Sequence, residues 1–258
     1  MDSICRDIRK KILEISHEGK DGNLQSCFSS VEILWALYDN VLAFQPDLVN
    51  STHDRFVLSK GQSNLALMTV LAFKGYLPMK ELDTFCHFDS RIAMQADRTK
   101  FDGVIENSAG SLGHGFPLGV GMAWASKMKG TNERVFVLAG DGEMNEGTMW
   151  EAMIFASSES LNNLTLIIDD NDSINRLIDL RDLNKKICSF NFDVCVVDGH
   201  SLDELTTALN KQSDRPKAII AKTFRGYGSK TLMEDRSWFH RYPNENELTI
   251  LCKEVDEF

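Results

Sequence analysis

The sequence lacks any unbroken apolar run near the roughly 20 residues that span a membrane. Its start, MDSICRDIRKKIL, alternates charged and apolar residues and has no continuous apolar stretch of the secretory type. Paired cysteines are missing too. Cys5, Cys27, Cys86, Cys188, Cys195 and Cys252 are scattered without a CxxC spacing, which argues against a zinc site or disulfide framework and for reduced thiols in a cytoplasmic setting. Positive charge is scarce. The net charge is −10, the opposite of the basic surface that nucleic acid requires. No repeat and no low-complexity linker divides the chain. A length of 258 residues suits one large domain and is short for two, so a single domain over residues 1–258 is expected. The acidic balance leaves room for an anionic ligand, because converging backbone N–H groups bind phosphate whatever the net charge.

What is present is an apolar content of 43% with 26% charged residues, the make-up of a soluble globular protein. Helical spacing links Ile8, Ile12 and Ile15, and then Val31, Ile33, Leu34, Leu37 and Leu42. A third helix is expected after Lys60-Gly61, and a polar loop from about Phe88 to Asn107. Ser108–Lys127 opens with four glycines and continues as a buried helix. Four short β-rich runs follow: Arg134–Gly140, Leu164–Asp170, Phe192–Gly199 and Lys217–Thr223. Helical segments at Glu146–Ser160, Arg181–Cys188 and Leu202–Lys211 separate them. Apolar strands alternating with helices predict an α/β fold, a parallel sheet flanked by helices on both faces. In such sheets ligands bind outside the carboxyl ends of the strands, which directs attention past Leu138 and Ile168.

There the sequence reads Gly140-Asp141-Gly142-Glu143, and 30 residues beyond Asp141 stands Asn171. One strand–helix–strand unit has about that length, so a carboxylate and an amide oxygen come to lie at neighbouring strand ends. Magnesium suits such a pair, since it takes hard oxygen ligands and is commonly completed by ligand phosphates. Calcium or manganese would also accept oxygen ligands. Gly140 and Gly142 allow the backbone close to a diphosphate, and the helix expected from Glu146 adds a favourable dipole. A lone GDG is an ordinary strand-to-loop turn; its pairing with Asn171 is the specific signal.

The run GDGEMNEGTMWEAMIFASSESLNNLTLIIDDN resembles the thiamine diphosphate motif of transketolases, particularly those split into two chains. LSKGQSNLALMTVLAFKGYL, IENSAGSLGHG, VVDGH and KTFRGYGSKTLMEDRSWFHRYPNENEL also resemble segments of that family, so the likeness covers nearly the whole chain. Pyruvate-dehydrogenase-type subunits share GDG…N but match less well elsewhere. The resemblance implies the thiamine-diphosphate-binding fold. It also implies that Asp141 and Asn171 hold magnesium with the Ser173 carbonyl as a third ligand. Gly140, Gly142 and Glu143 would face the diphosphate, and Gly110 and Leu112 the rings. Glu146 would meet a partner glutamate, with Glu151 extending that link; as a plain alternative, Glu146 is a helix-start carboxylate. The family's pyrimidine-binding domain would follow beyond Phe258. It is expected on a separate, C-terminal transketolase-like chain in an α2β2 assembly.

Several family histidines are replaced. Gln62 stands at the end of the SKGH segment and Gln95 at an H-P-D/E histidine. Asn23 replaces an early one, and Phe239 the one in WHG, with His240 adjacent. Amides hydrogen bond but take no proton near neutral pH. The resemblance therefore implies ketol transfer to an aldehyde, with Gln62, Gln95, Glu146 and His240 as catalytic candidates, on a non-standard sugar. The alternatives are a 2-oxoacid (pyruvate) decarboxylase or carboligase subunit, or a non-catalytic regulatory subunit. The loop after Asn171, DSINRLIDL, also departs from the family. His114 has a structural or a catalytic reading. His200 reads as a turn residue, and His17, His53 and His87 as surface or structural.

Overall fold

A computed structural model describes residues 1–43, 53–101, 103–173 and 178–258. Five parallel strands form one sheet: β1 (Arg55–Leu58), β2 (Val135–Gly140), β3 (Leu164–Asp170), β4 (Asp193–Asp198) and β5 (Lys217–Lys222), in the order β1-β2-β3-β5-β4. The central strands are apolar at nearly every position because both of their faces are covered. All of β2 and β3 is buried, whereas the edge strand β4 is only partly so.

Alternation along the strands sorts their side chains into two layers. Phe136, Leu138 and Ile167 face a layer built from α1 (Ser3–Gly19), α2 (Leu24–Ala36), α3 (Asn64–Phe73) and α7 (Leu202–Asn210). Val135, Val137, Ala139 and Ile168 face α4 (Gly115–Lys129), α5 (Gly147–Ser158) and α6 (Leu183–Ser189). Short α8 (Lys230–Glu234) and terminal α9 (Glu245–Glu257) complete the chain, with α9 packed on α1. Among the described residues no helix is long and apolar enough to cross a membrane. All six cysteines are free.

The expected α/β architecture is present, and three details differ from the expectation. The sheet has a fifth strand, β1, only four residues long. The carboxy-terminal α9 is a further addition, although its capping box, Asn244 with Glu247, is visible in the sequence. The helix expected within Ser108–Lys127 starts at Gly115 and is buried on one side only; Leu118, Trp124 and Met128 are exposed. Its sheet-facing side carries glycine for a steric reason. A Cβ on Gly119 would stand 2.3 Å from Val137 Cγ2, and one on Gly115 2.5 Å from Ser59 Cβ.

A buried polar knot joins the amino-terminal helices to the loop after β5. Arg9 and Glu32, 0% and 2% exposed, form a double hydrogen-bonded pair at 2.6 and 2.7 Å. His200 Nδ1 donates to Glu32 Oε2 at 3.0 Å, and its Nε2 accepts from the Phe224 amide at 2.9 Å, which fixes the proton on Nδ1. The His200 ring stacks on Tyr227 at 3.5 Å. His200, which follows β4 in a turn, thus ties Glu32 to the loop after β5, a tertiary part beyond the turn role expected of it.

This packing can be probed from both sides. The G119A variant drives a methyl into Val137 and costs about 1–3 kcal/mol. G121A, whose Cβ meets nothing within 4 Å, gains up to about 1 kcal/mol from helix propensity. Denaturant midpoints of the two variants read this contrast. For Glu32, burial opposes ionisation, but Arg9 and His200 overcome it and hold the carboxyl down at about 2. The ionised pair therefore stabilises the fold fully above the ordinary glutamate range, near pH ~4.3, and is lost as pH falls towards 2. E32Q, which leaves Arg9 buried and unpaired, is expected to melt well below wild type at pH 7, by about 3–5 kcal/mol. That gap should close between about pH 4 and 2 in melting curves taken across pH.

Candidate functional site

The register of the sheet sets the site. Gly140 pairs with Asp169, so Asp141 leaves β2 beside the point where Asn171 leaves β3. Both side chains are buried, at 3% and 6% exposure. Asp141 Oδ1 accepts from the Gly142 amide at 2.8 Å and the Ser173 hydroxyl at 2.5 Å, and its Oδ2 accepts from the Ser173 amide at 2.7 Å. Asn171 Nδ2 donates to Ser29 Oγ at 3.2 Å, which turns its Oδ1 the other way. That oxygen is buried and has no hydrogen-bond partner. A buried acceptor with nothing to accept is costly, and a cation satisfies it. The residues present therefore fit a hard metal held by one carboxylate, one amide oxygen and the oxygens of a ligand. Among the described residues no group of three or more His, Cys, Asp or Glu converges, which leaves no transition-metal cage to compete with this reading.

Beneath the pair lies a polar floor. Lys60, in the loop after β1, reaches Asp169 on β3 at 2.5 Å and also donates to Ser26 O and Ser29 Oγ. Asp169 is fully buried and accepts in addition from Ser29, Ser30 and Thr223. Burial alone would raise its pKa, but Lys60 and these donors hold it below the usual carboxylate range. Ser26, Ser29 and Ser30 sit at helical spacing on α2, a buried helix that is apolar elsewhere except at Gln25 and Glu32. That polar stripe is the sequence signal for this floor, and reading the helix for its apolar spacing alone passes over it.

Glu143 has a larger part than a backbone donor. Its carboxylate accepts from Ser59 Oγ at 2.5 Å, from the Gly113 amide at 2.9 Å and from the Gly140 amide at 2.9 Å. It thereby ties the ends of β1 and β2 to the glycine-rich loop before α4. Burial pushes its carboxyl upward, against those three donors.

A cleft of about 250 Å³ opens over this arrangement. It brings together Gln62, Leu112, Gly140, Asp141, Gly142, Glu143, Asn171 and Ser173, and adds Ser26, Lys60, Arg225 and Phe239. A Cβ on Gly142 would meet nothing within 4 Å, so the backbone there is open to a ligand. Gly110 lies in a neighbouring cleft of about 300 Å³ with Ser111 and His114. Gln95 packs against the Gly61 backbone behind Gln62, its Oε1 buried without a partner. Asn23 is buried as well, at the start of α2. Phe239 lines the cleft, and His240 stands edge-on to it at 4.7 Å, exposed and outside the lining. Glu146, which precedes α5, and Glu151 on it are exposed, and Glu146 makes no side-chain capping bond. Residues 174–177, in the loop expected to depart from the family, lie outside the described residues. His17 binds the Pro243 carbonyl and His53 the Glu106 carboxylate, as structural histidines do.

A larger cavity of about 440 Å³ opens at the opposite ends of the strands, among Lys127, Arg134, Lys211 and Lys217. Parallel sheets bind ligands at their carboxyl ends, and Asp141 and Asn171 are there, so the smaller cleft is the candidate site.

Comparison with known proteins agrees with this geometry. The family model described as the thiamine diphosphate binding domain of transketolase matches residues 2–247. The chain is 32% identical over 263 residues to an apulose-4-phosphate transketolase subunit from Actinobacillus succinogenes, covering 98% of this chain and 95% of that protein. It is 34% identical over 231 residues to a 6-deoxy-6-sulfo-D-fructose transketolase subunit of a Clostridium species, covering 86% of this chain and 84% of that one. The crystal structure of transketolase from Campylobacter jejuni superposes with a TM-score of 0.88 at 26% identity. That alignment covers all of this chain and 43% of the whole transketolase.

The Glu143 clamp can be tested independently of any ligand. E143Q places an amide N–H₂ among three donors and costs on the order of 1–3 kcal/mol. It should appear as a lower melting temperature together with faster amide exchange at Gly113 and Gly140.

Proposed function

This chain belongs to the transketolase family through its thiamine-diphosphate-binding domain, and on that premise we propose that it is the cofactor-binding subunit of a two-chain ketol transferase acting on a non-standard sugar. The observation that carries the reading is the buried Asp141–Asn171 pair at neighbouring strand ends, with the Asn171 Oδ1 left unsatisfied. Asp141 and Asn171 would hold magnesium, with Ser173 beside them, and the open backbone at Gly142 would face the diphosphate. Thiamine diphosphate supplies carbanion stabilisation for breaking and remaking a C–C bond beside a carbonyl.

The chain's own residues then bind and orient. Glu143 holds the glycine-rich loop against the strand ends, so Leu112 presents a fixed apolar surface to a ring. Gln62 offers donor and acceptor to a substrate hydroxyl but holds no titrating proton near neutral pH. Gln95 supports the Gly61-Gln62 turn from behind. Residues 1–258 act as a single domain, and the pyrimidine-binding half belongs to a partner chain. The exposed Glu146, unused in capping its helix, is available to meet that partner in an α2β2 assembly. Relatives named as subunits of transketolases for apulose 4-phosphate and a sulfo-sugar support both the divided enzyme and the unusual substrate.

The replacement of imidazole by Gln62 and Phe239 in the cleft favours one second reading. A component of a pyruvate decarboxylase or carboligase needs no base for a sugar hydroxyl. A purely regulatory role is disfavoured, because it has no use for the Asp141–Asn171 pair.

The test is to isolate the chain with its partner and supply thiamine diphosphate and magnesium. Transfer from standard and modified ketoses is then followed beside pyruvate consumption. Ketol transfer, best from a modified ketose, is the expected outcome. Carbon dioxide release from pyruvate without ketol transfer would sink the proposal. D141A is expected to lower activity by at least about 10²-fold, and chelation should abolish activity until magnesium is returned.

A further inference from the structure

The cavity of about 440 Å³ at the amino ends of the strands shares no residue with the cleft that holds Asp141 and Asn171, so nothing assigned to that cleft accounts for it. Its wall comes from the end of α4 and the turn after it, the starts of β2, β3 and β5, and the turn after α7. Lys127, Arg134, Lys211 and Lys217 meet there, and no aspartate or glutamate lines it. Acidic residues outnumber basic ones in the chain, 38 to 28, so a concave wall with four cations and no acid runs against the composition.

The partners of these cations leave positive charge over. Arg134 pairs with Asp54 and Lys211 with Asp193, and neither carboxylate lines the cavity. Arg134 uses Nε and Nη2 for Asp54 and the Val41 carbonyl; its Nη1 has no hydrogen-bond partner among the described residues. Lys127 and Lys217 meet carbonyls alone among those residues. Lys127 reaches Glu159 and Ser160 behind α5, and Lys217 reaches Ala208, Leu209 and Lys211 at the end of α7. Closing a helix end explains the direction of each lysine. It does not explain why both stand beside two further cations. Lys217 is only 7% exposed, whereas the other buried cations, Arg9 and Lys60, each face a buried carboxylate. Burial brings the Lys217 amine down to about 8; Arg134 and Lys211 push the same way, and Cys195 and Asp193 on β4 resist. An ammonium held out of water among like charges is stabilised by an anion.

The rest of the wall says what carries that anion. A phosphate group by itself is far smaller than the cavity. Thr131, Asn132, Asn162, Gln212 and Ser213 offer neutral hydroxyl and amide groups around the remaining space. Such groups suit a small hydroxylated body better than an apolar one.

We propose that this cavity is a second ligand site, for the phosphate monoester of a small hydroxylated molecule. Lys127, Lys211 and the free Nη1 of Arg134 hold the phosphate, and Lys217 behind them contributes its charge. The inference does not depend on what the cleft at the carboxyl ends binds.

The experiment measures binding of glycerol 3-phosphate, glycerol, inorganic phosphate and sulfate to the chain assembled with its partner, by titration calorimetry. Glycerol 3-phosphate has no carbonyl group, so it can neither give nor accept a ketol unit in the cleft. Wild type, K127A/K211A and K217M are compared, each checked for a native melting transition and for unchanged thiamine diphosphate affinity. Glycerol 3-phosphate should bind saturably, more tightly than inorganic phosphate, and glycerol should not bind. K127A/K211A, both on the rim, should weaken glycerol 3-phosphate at least about 10-fold. Sulfate, whose charge stays constant, should bind more weakly as pH rises from about 7 to 9, because Lys217 loses its proton there. Cys195 stays a thiol in that range, since burial raises it. K217M should flatten this dependence; if it does not fold, the rim variant still decides. Absence of saturable glycerol 3-phosphate binding would overturn the proposal, and so would binding that K127A/K211A leaves untouched. Glycerol binding as well as its phosphate would show that charge plays no part. Inorganic phosphate binding as tightly as the ester would overturn the assignment to a hydroxylated ligand.

Discussion

Lys60 and Asp169 belong to strands that are not neighbours, and the pair they form has to cross the strand between them. Lys60 follows β1, Asp169 ends β3, and β2 lies in the middle. The crossing passes over Gly140, where a Cβ would stand 3.5 Å from Lys60 Cγ, in full contact with the lysine stem. Taking both ions out of water is expensive, and the repayment depends on complete hydrogen bonding. Here it is complete: Ser29, Ser30 and Thr223 finish the Asp169 shell, and Ser26 and Ser29 the Lys60 shell. Such a pair fixes geometry more than it adds stability, and what it fixes is the relative height of three strand ends.

The candidate site inherits its rigidity from that pair. Ser29 serves Lys60, Asp169 and Asn171 at once, so the orientation that frees Asn171 Oδ1 is set from the same floor. Glu143 does for the neighbouring loop what Asp169 does for the floor, drawing three donors from three segments to one carboxylate. Anchoring groups thus stand on strand ends and buried networks, where positions are precise. Of the cleft residues that would distinguish one ligand from another, Arg225 and Phe239 stand in turns and Gln62 in the single 3-10 turn before α3.

Much of this is legible from the residues. Short apolar, β-branched runs such as RVFVLAG and LTLIIDD read as strands buried on both faces, and the distance from Asp141 to Asn171 is the length of one crossover. β1 is not legible because four residues carry too little pattern. Lys60–Asp169 is not because nothing local connects residues 109 positions apart. The Glu143 side chain is hidden behind its backbone, since GDGE looks like a loop offering amides. Its three acceptor bonds come from segments whose approach only the folded chain reveals. The α2 serines can be found: Ser26, Ser29 and Ser30 mark one polar stripe on a buried helix that is otherwise apolar apart from Gln25 and Glu32, and such a stripe must face polar partners. The Arg9–Glu32–His200 knot spans 191 positions of sequence and has no local sign beyond an arginine on an otherwise apolar helix face.

On the proposed function, the composition of the cleft divides the chemical labour between chains. Among the described residues no imidazole lines the cleft that holds Asp141 and Asn171; His114 lines only the adjoining one, beside Gly110. Glu143 and Asp169 are closed off by their own donors, and Lys60 by Asp169, so none of them is free to exchange protons with a substrate. Gln62 can orient an oxygen without titrating, and Phe239 can exclude water but cannot hydrogen bond through its side chain. A site so furnished binds and positions strongly and transfers protons weakly. Proton transfer then falls to groups brought by the partner, to His114 across the loop, or to the bound molecules. A chain that specialises in anchoring while leaving acid–base work to the interface has tolerated amides where an undivided site would need imidazoles. On that proposal, the unusual substitutions and the second chain go together.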